Sequence, residues 1–346
     1  MSESTSIKIA IHDRSGSFSD RWIEYCRQNN IPYKLVNCYQ SDIISQLTDC
    51  DALMWHYSHT SYRDVLFAKQ LLYALQMAGK KVFPDFSTNW HFDDKLGQKY
   101  LLEAIGAPFV PSYVFYDRNE ALNWIKSTTF PKVFKLRGGA GSINVKLVRT
   151  KKQALQLVRK AFGRGFSQFD RLAYLKERYR KYKEGKNSFL GVCKGIARVL
   201  ISTEFAKMNS PEKGYVYFQD FMPNNKFDIR VIVIGNKAFA IKRMTRRGDF
   251  RASGSGNILF DKSEIDERCV QIAFDVNKKL ATQSIAFDFV FDKNNSPLIV
   301  ELSYGYAVQA YDFCPGYWDA ELNWHWGKFN PQAWMVENLV HTPLQK

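Results

Sequence analysis

The sequence predicts an α/β protein in which a small doubly wound domain precedes a larger α+β region. Apolar runs and amphipathic stretches alternate along residues 7–83, which is typical of parallel β-α units. Residues 215–303 instead contain closely spaced apolar runs joined by turn formers, which is typical of antiparallel hairpins. The length of 346 residues suggests about two domains, and the 45% hydrophobic content indicates a globular chain.

The first part of the chain is predicted to contain four strands separated by helices. The strands are placed at residues 7–11, 33–36, 52–55 and 82–83. Sheets of this kind bind ligands at the carboxyl ends of their strands, here residues 12–17 and 56–63. His56 and His59 lie in the second loop. Their spacing would suit one turn of a helix, but they lie in a loop that follows a strand. We therefore interpret them as substrate contacts rather than as a metal-binding pair.

The middle of the chain begins with an amphipathic helix at residues 93–106. Asp93 is its expected cap and Gly106 its expected end. Tyr100 is expected on the inward face, together with Leu96, Leu101, Ala104 and Ile105. Further helices are predicted at residues 118–127, 151–161 and 264–280, and a final one is opened by Asn330 and Pro331.

A strand that ends at Lys135 leads into a glycine-rich loop and continues as a second strand. Gly138, Gly139 and Gly141 allow backbone amides to turn toward an anion, and Lys135 and Arg137 add positive charge beside them. The loop is neither a Walker P-loop nor a Rossmann motif, because a strand rather than a helix follows it. A glycine-rich hairpin without a ligand is the alternative.

Residues 283–303 are predicted to form a β-hairpin that presents two acidic side chains. Asp288 alternates with phenylalanines in the first arm and therefore lies on the face opposite to them. Turn formers at residues 292–297 lead into a second arm that contains Glu301. Two carboxylates on adjacent strands are suitable ligands for a hard cation such as Mg²⁺. A solvated hairpin face is the alternative.

The net charge of +15 and the isoelectric point near 9.4 predict attraction to anions. Residues 171–186 are the most basic stretch, with seven lysines and arginines against two glutamates. This stretch is either a solvated insertion or a surface that recruits an anionic substrate. It contains no recognisable readout module, which argues against a nucleic-acid partner.

The cysteines and the amino terminus indicate a cytoplasmic protein. Six cysteines are scattered without a CxxC pair, which is typical of reduced thiols. The first 14 residues lack the apolar core of a secretion signal, and no apolar run is long enough to span a bilayer. The sequence gives no indication of the oligomeric state.

Six segments occur in a distinctive order: a DDK that opens a helix, FKLRGGAGSINV, YFQDFMPNNKFDIRVIVI, IKRMTRRGDFRASGSGN, AFDFV and IVELS. This order, over residues 93–303, resembles the ATP-grasp superfamily of carboxylate-amine ligases, and most closely its glutamate-ligase-like branch. The resemblance implies a pre-ATP-grasp α/β domain at residues 1–90. It implies an ATP-grasp N-terminal part with a glycine-loop lid and the basic insertion at 91–222, and a C-terminal catalytic part with an aromatic tail at 223–346.

The resemblance also implies roles for individual residues. Phosphate contacts are implied for Lys95 and Lys135, and positions in a flap over the phosphates for Gly138, Gly139, Gly141 and Ser142. Adenine is expected beside the backbone of Gln219, Asp220 and Phe221. Asp228 and Arg230 match a DxR element. Arg243 resembles the arginine that stabilises the transferred phosphate, and Arg251 one that holds an oxygen of the acyl phosphate or substrate. Asp288 and Glu301 match the magnesium ligands.

One departure from the family concerns its metal site. The family usually closes this site with Glu-x-Asn, whereas this chain has Ser303 two residues after Glu301. A hydroxyl is a shorter and weaker oxygen ligand than an amide carbonyl. A water-bridged second Mg²⁺, a role for Asn257 and a reduced activity are the alternatives that follow.

The function implied is an ATP-dependent ligation of a carboxylate to an amine through an acyl phosphate. Positioning and charge neutralisation supply most of such catalysis. The resemblance implies ATP and Mg²⁺, and a small-molecule or glycan-linked carboxylate and an amine as substrates. The positive charge adds an anionic substrate and transient contact of the protein with a membrane surface. A kinase acting on the hydroxyl of an anionic substrate and a non-catalytic nucleic-acid binder are the other two classes.

The carboxyl-terminal residues 304–340 are unusually aromatic. Core and interface packing is the favoured explanation, because aromatic side chains contribute much of any core. A stacking surface for sugar rings is the alternative.

Overall fold

The computed structural model describes residues 7–138, 144–167, 182, 211–246, 249–252, 254 and 256–342. These residues form three β-sheets with helices packed against them. None of the helices in the described ranges is long and apolar enough to cross a membrane. The basic segment 171–186, except Tyr182, and the loop residues Gly139, Gly141 and Ser142 lie outside the described residues.

The first sheet is parallel and confirms the predicted doubly wound arrangement. Its strands, β1 Ile9–His12, β2 Tyr33–Val36, β3 Ala52–Met54 and β4 Lys81–Phe83, lie in the order β2-β1-β3-β4. The connecting helices are α1 Phe18–Gln28, α2 Ile43–Gln46 and α3 Tyr62–Met77. The loop after β3, which contains His56 and His59, is directed toward the rest of the chain, because Tyr57 contacts Tyr304 there.

Two further helices, α4 Phe86–Asn89 and α5 Lys95–Ala104, lead to the second sheet. The cap of α5 is Asp94, whose carboxylate accepts hydrogen bonds from two backbone amides of the first turn. The prediction of Asp93 as the cap is wrong, because Asp93 has a φ of 54° and precedes the helix by two residues. The inward placement of Tyr100 and Ala104 is also wrong, because both are exposed. Gln98 and Leu102 occupy the buried face.

The second sheet has four antiparallel strands. These are β5 Ser112–Phe115, β6 Lys132–Lys135, β7 Val145–Val148 and β8 Val216–Asp220, in the order β5-β8-β6-β7. Helices α6 Arg118–Ser127 and α7 Lys151–Ala161 contribute Ala121, Ile125, Ala154 and Val158 to a core shared with these strands. The two strands predicted on either side of the glycine-rich loop are therefore present.

The third sheet is the largest. Its strands are β9 Phe227–Ile234, β10 Lys237–Met244, β11 Ile258–Leu259, β12 Ser284–Phe291, β13 Pro297–Ser303, β14 Gly316–Asp319 and β15 Trp324–Trp326. They lie in the order β13-β12-β9-β10-β14-β15, with β11 paired to β10. Helices α8 Glu267–Leu280 and α9 Pro331–His341 follow the same part of the chain, and Asn330 caps α9 with Pro331 at its first position, as predicted.

Both faces of the third sheet are buried. Alternating residues such as Phe287 and Phe289 pack with α8, whereas Ile232 and Phe239 pack on the other face with α9, β1 and α1. The carboxyl-terminal aromatic residues mostly join these cores, in agreement with the packing explanation. Trp326 departs from it, since it is 72% exposed.

The outer edge of β13 is covered by the chain that precedes β5. Ile299 donates its backbone N–H to the carbonyl of Pro108 at 2.8 Å and accepts from the N–H of Val110 at 3.0 Å. At the opposite edge, β15 is only three residues long.

His91, between α4 and α5, is fully buried, and neither ring nitrogen has a hydrogen-bond partner among the described residues. Burial lowers the pKa of His91 to about 4, with the charge of Lys69 acting in the same direction. His56 is affected in the same way, and burial lowers its pKa to about 3. Both imidazoles are therefore neutral at physiological pH.

We expect the free energy of unfolding to fall as the pH drops from 6.5 to about 4. In this window the unfolded chain protonates His91 and His56 while the folded chain does not, so each histidine contributes a slope of about 1.4 kcal/mol per pH unit. Denaturant unfolding of His91→Leu across this range should show a slope reduced by that amount. His341→Gln, at an exposed position, is the matched control. An unchanged slope in His91→Leu would contradict the assignment.

Candidate active site

Asp288 and Glu301 face each other across the β12–β13 hairpin. They are direct register partners, and a β-bulge follows immediately after Asp288. On the other side of β12, Asp288 is in register with Arg230 of β9. The predicted pairing of the two acids is therefore present, and a third strand brings a cation to the same face.

Asp288 is held by two arginines. Arg230 contacts its two carboxylate oxygens at 2.6 and 2.7 Å, and a terminal nitrogen of Arg243 lies 3.0 Å from it. Arg243 also makes a two-point contact with Asp228 at 2.6 and 2.7 Å. Burial alone raises the pKa of Asp288, but both guanidinium groups outweigh it and hold the pKa below its usual range. The four side chains form a buried network of ion pairs, in which burial raises the pKa of Asp228 despite its contact with Arg243.

Two buried lysines lie beside Glu301. Lys95 Nζ is 3.2 Å from a Glu301 oxygen, and Lys135 approaches from the end of β6. Burial lowers the pKa of Lys135 to about 8; Glu301 opposes this shift and Lys95 adds to it. Gln98 fixes the position of Lys95, because its side-chain amide bonds both backbone groups of Leu302.

A pocket opens between the second and third sheets above these charges. One part of its wall is apolar and contains Val110, Val133, Val145, Met222, Phe227 and Val290. The other part contains Lys135, Asp228, Arg251, Asp288 and Glu301. The pocket therefore combines a surface for a flat apolar group with a charged floor for an anion.

About a third of the chain, including most of the third sheet, matches a family model. The model describes a RimK-like ATP-grasp domain, and it matches residues 184–312, from before β8 to the segment after β13. No curated protein sequence is significantly similar to the chain.

Solved structures similar to this one include three that align over nearly the whole chain. Biotin carboxylase from Campylobacter jejuni, in complex with β-γ-ATP, is 15% identical with a TM-score of 0.60, over 98% of this chain and 72% of that one. A RimK domain ATP-grasp protein from Sphaerobacter thermophilus is 16% identical with a TM-score of 0.54, over 96% and 99%. D-alanine–D-alanine ligase from Bacillus anthracis, complexed with ATP, is 13% identical with a TM-score of 0.53, over 90% of each chain. The chain has the ATP-grasp fold.

The ATP-grasp fold brings together most of the residues that the sequence singled out. One buried cluster contains Lys95, Lys135, Asp228, Arg230, Arg243, Asp288 and Glu301. Gln219, Asp220 and Phe221 line the pocket at the end of β8, as a hinge beside a nucleotide base would. Gly138 approaches the same region, since a Cβ added there would lie 3.3 Å from Asp93.

Other predicted residues are engaged elsewhere in this ATP-grasp structure. Ser303 donates its hydroxyl to the carbonyl of Gly305 at 2.8 Å. Arg251 lines the pocket but forms a two-point ion pair with Asp249. The Asp220 carboxylate pairs with Lys132 at 2.5 Å, and the role implied for Asp220 concerns its backbone rather than this side chain.

Sequence reasoning missed Tyr311, which it placed among packing aromatics. The buried Tyr311 side chain lies beside Arg230, whose charge opposes the upward effect of burial on the Tyr311 pKa. Its segment follows β13 without regular structure apart from a short 3₁₀ turn, so no periodicity indicates where its side chain points. His56 proves to be a structural contact, since its ring stacks on Phe18 at 3.7 Å and accepts the Phe18 N–H.

We expect Tyr311→Phe to lower kcat about tenfold while leaving the dissociation constant for ATP nearly unchanged. A hydrogen bond from Arg230 to this hydroxyl would contribute about 1.5–3 kcal/mol, and without it Arg230 would be held less firmly toward Asp288. Steady-state kinetics with a nucleotide-binding titration separates the two quantities. Tyr317→Phe, also aromatic and further along the chain, is the control. An equal loss in both variants would contradict a positioning role for Tyr311.

The residues of the charged floor fit one divalent cation. Asp288 and Glu301 supply carboxylate oxygens from adjacent strands, which is the donor chemistry that Mg²⁺ prefers. No cluster of three or more histidine, cysteine or acidic side chains suited to a metal occurs in the described part of the chain. A cation held there would therefore need oxygens from a bound phosphate as well.

Proposed function

We propose that the protein is an ATP-dependent ligase that joins a carboxylate to an amine through an acyl phosphate. The observation that carries this proposal is the cluster of Lys95, Lys135, Arg230 and Arg243 around paired acids at the floor of the pocket. Isolated buried cations are costly unless an anion accompanies them. The apolar wall beside the cluster suits an adenine, and the charged floor suits a triphosphate.

The cations have distinct tasks in this reaction. Lys135 and Lys95 act as point charges on the phosphates, and binding of a phosphate would return the pKa of Lys135 toward its ordinary value. Arg243 is held on two sides, by Asp228 and Asp288, so it is already oriented toward charge that develops on a transferred phosphoryl group. Arg251 would contact the acyl phosphate or the substrate after release from Asp249.

Asp288 and Glu301 would hold Mg²⁺, which neutralises phosphate charge and orients the phosphates when it is bound. The chain's own contribution is to keep both acids ionised at the floor of the pocket. Arg230 and Arg243 do so for Asp288, and the two lysines do so for Glu301, because each opposes the effect of burial on the pKa.

The acceptor would approach past His59 in the loop after β3, since the charges of Lys95 and Glu301 both act on the pKa of His59. The excess positive charge favours an anionic acceptor, including a glycan-linked carboxylate presented at a membrane surface. We place the reaction in the cytoplasm, and we assign the preceding domain, the lid part and the catalytic part to residues 1–90, 91–222 and 223–346.

The test is a screen of carboxylates and amines for stimulated release of ADP, followed by product analysis. A ligase produces ADP, free phosphate and an amide, and formation of all three in equal amounts is the expected result. A kinase produces ADP and a stable phosphoester without free phosphate, and this result would replace the ligase by the kinase alternative. A protein that binds no ATP at any Mg²⁺ concentration would contradict both.

A further inference from the structure

The oxygen donors on the charged floor are few and mostly engaged. Both oxygens of Asp288 contact Arg230, and one of them also contacts Arg243. Both oxygens of Asp228 contact Arg243. Glu301, with a side chain 34% exposed, is the acid in this group with the most access to the pocket.

The residue that follows on the same face of β13 does not add a donor of equal quality. Ser303 lies two positions after Glu301 and therefore on the same side of the strand. Its hydroxyl is committed to the Gly305 carbonyl at 2.8 Å, within the turn that leaves β13. A hydroxyl is also shorter than a side-chain amide and reaches less far into a pocket.

We propose that the nucleotide binds with a single Mg²⁺ ion, and that the guanidinium groups of Arg230 and Arg243 supply the positive charge that a second ion would otherwise provide. This inference rests on the proposed function, since it concerns the same nucleotide site. One ion can be satisfied by Glu301, by the Asp288 oxygen that contacts only the Nε of Arg230, and by phosphate oxygens and water. A second ion would have to displace an arginine from the other Asp288 oxygen, which contacts both Arg230 and Arg243, or bind without a further fixed protein oxygen.

The geometry of the arginines supports their use in place of a second metal ion. A planar guanidinium presents paired N–H groups that match carboxylate and phosphate oxygens, and it stays charged at every accessible pH. Arg243 is only 6% exposed and is held by two acids, so its position is fixed before a ligand arrives. Mg²⁺, in contrast, loses its water reluctantly and requires a nearly octahedral set of oxygens.

The experiment counts bound metal rather than product. Mn²⁺ replaces Mg²⁺, and the electron paramagnetic resonance signal of free Mn²⁺ is followed while the full chain is titrated in the presence of saturating adenylyl imidodiphosphate. We expect one Mn²⁺ per protein–nucleotide complex for the wild type. Ser303→Asn adds an amide oxygen two residues after Glu301, and we expect two Mn²⁺ per complex for this variant. Ser303→Ala should remain at one and serves as the matched control.

Two Mn²⁺ per complex in the wild type would overturn the proposal. If Asn257→Ala then reduced two to one, Asn257 would be identified as the missing ligand. One Mn²⁺ in Ser303→Asn, with nucleotide still bound, would overturn the role assigned to Ser303. Absence of nucleotide binding in the wild type, measured by calorimetry of the same samples, would overturn the proposed function together with this inference, so the two failures are distinguishable.

Discussion

Asp288→Asn should lower ATP-dependent ADP release about 10³-fold, because it removes a proposed metal ligand and the acid that contacts both arginines. The same change should lower the free energy of unfolding by about 3 kcal/mol, since it removes the negative charge of Asp288 and leaves two buried arginines without it. Chemical denaturation and coupled ADP assays measure the two effects on the same preparation.

A variant of the opposite acid separates the effect on catalysis from the effect on folding. Glu301→Gln removes the opposite acid, whose side chain is partly exposed and paired with a single lysine. We expect an activity loss of about 10²-fold with a stability loss near 1 kcal/mol. Wild-type ADP release by a folded Asp288→Asn protein, or by Glu301→Gln, would contradict the assignment of these acids to the reaction.

Lys135→Met should change ATP binding and stability in opposite directions. Removal of a point charge from the phosphate site should weaken ATP binding about 10- to 100-fold. The folded chain should become more stable by up to about 3 kcal/mol at pH 7, because burial lowers the Lys135 pKa from 10.5 to about 8. Calorimetry and denaturant unfolding give the two quantities.

The sign of the stability effect follows from proton binding. A lysine with a lowered folded pKa costs stability fully below pH 8, and the cost disappears as the pH rises from about 8 to 10.5. The gain in Lys135→Met should therefore vanish in the same window. Lys146→Met, an exposed position on the neighbouring strand, is the matched control. A destabilised Lys135→Met protein with unchanged ATP affinity would place Lys135 outside the site.

The acid hairpin was predictable from the sequence because its alternation fixes which side chains share a face. Asp288 and Glu301 are register partners for that reason. The position of Lys135 at the end of β6 was also predictable, because a glycine-rich loop follows that strand. Both features depend on residues that are close along the chain.

The features that the sequence did not predict depend on the pairing of strands far apart in the chain, or on a choice between two adjacent residues of the same type. The contact of Arg230 with Asp288 requires the register of β9 against β12, which alternation alone does not determine. The cap of α5 could be either of two adjacent aspartates, and only the backbone angle of Asp93 decides for Asp94. Tyr311 reaches Arg230 from a segment without a repeating pattern.

The covering of β13 by residues 108–110 also bears on aggregation. An exposed strand with apolar side chains is a template for pairing with another molecule, and β13 would be such a strand at the end of the largest sheet. Pro108 and Val110 occupy both backbone groups of Ile299. The centre of the strand that presents Glu301 to the pocket therefore cannot pair with a strand of another molecule. An acid that faces the pocket can thus lie on an edge strand without promoting aggregation through that edge.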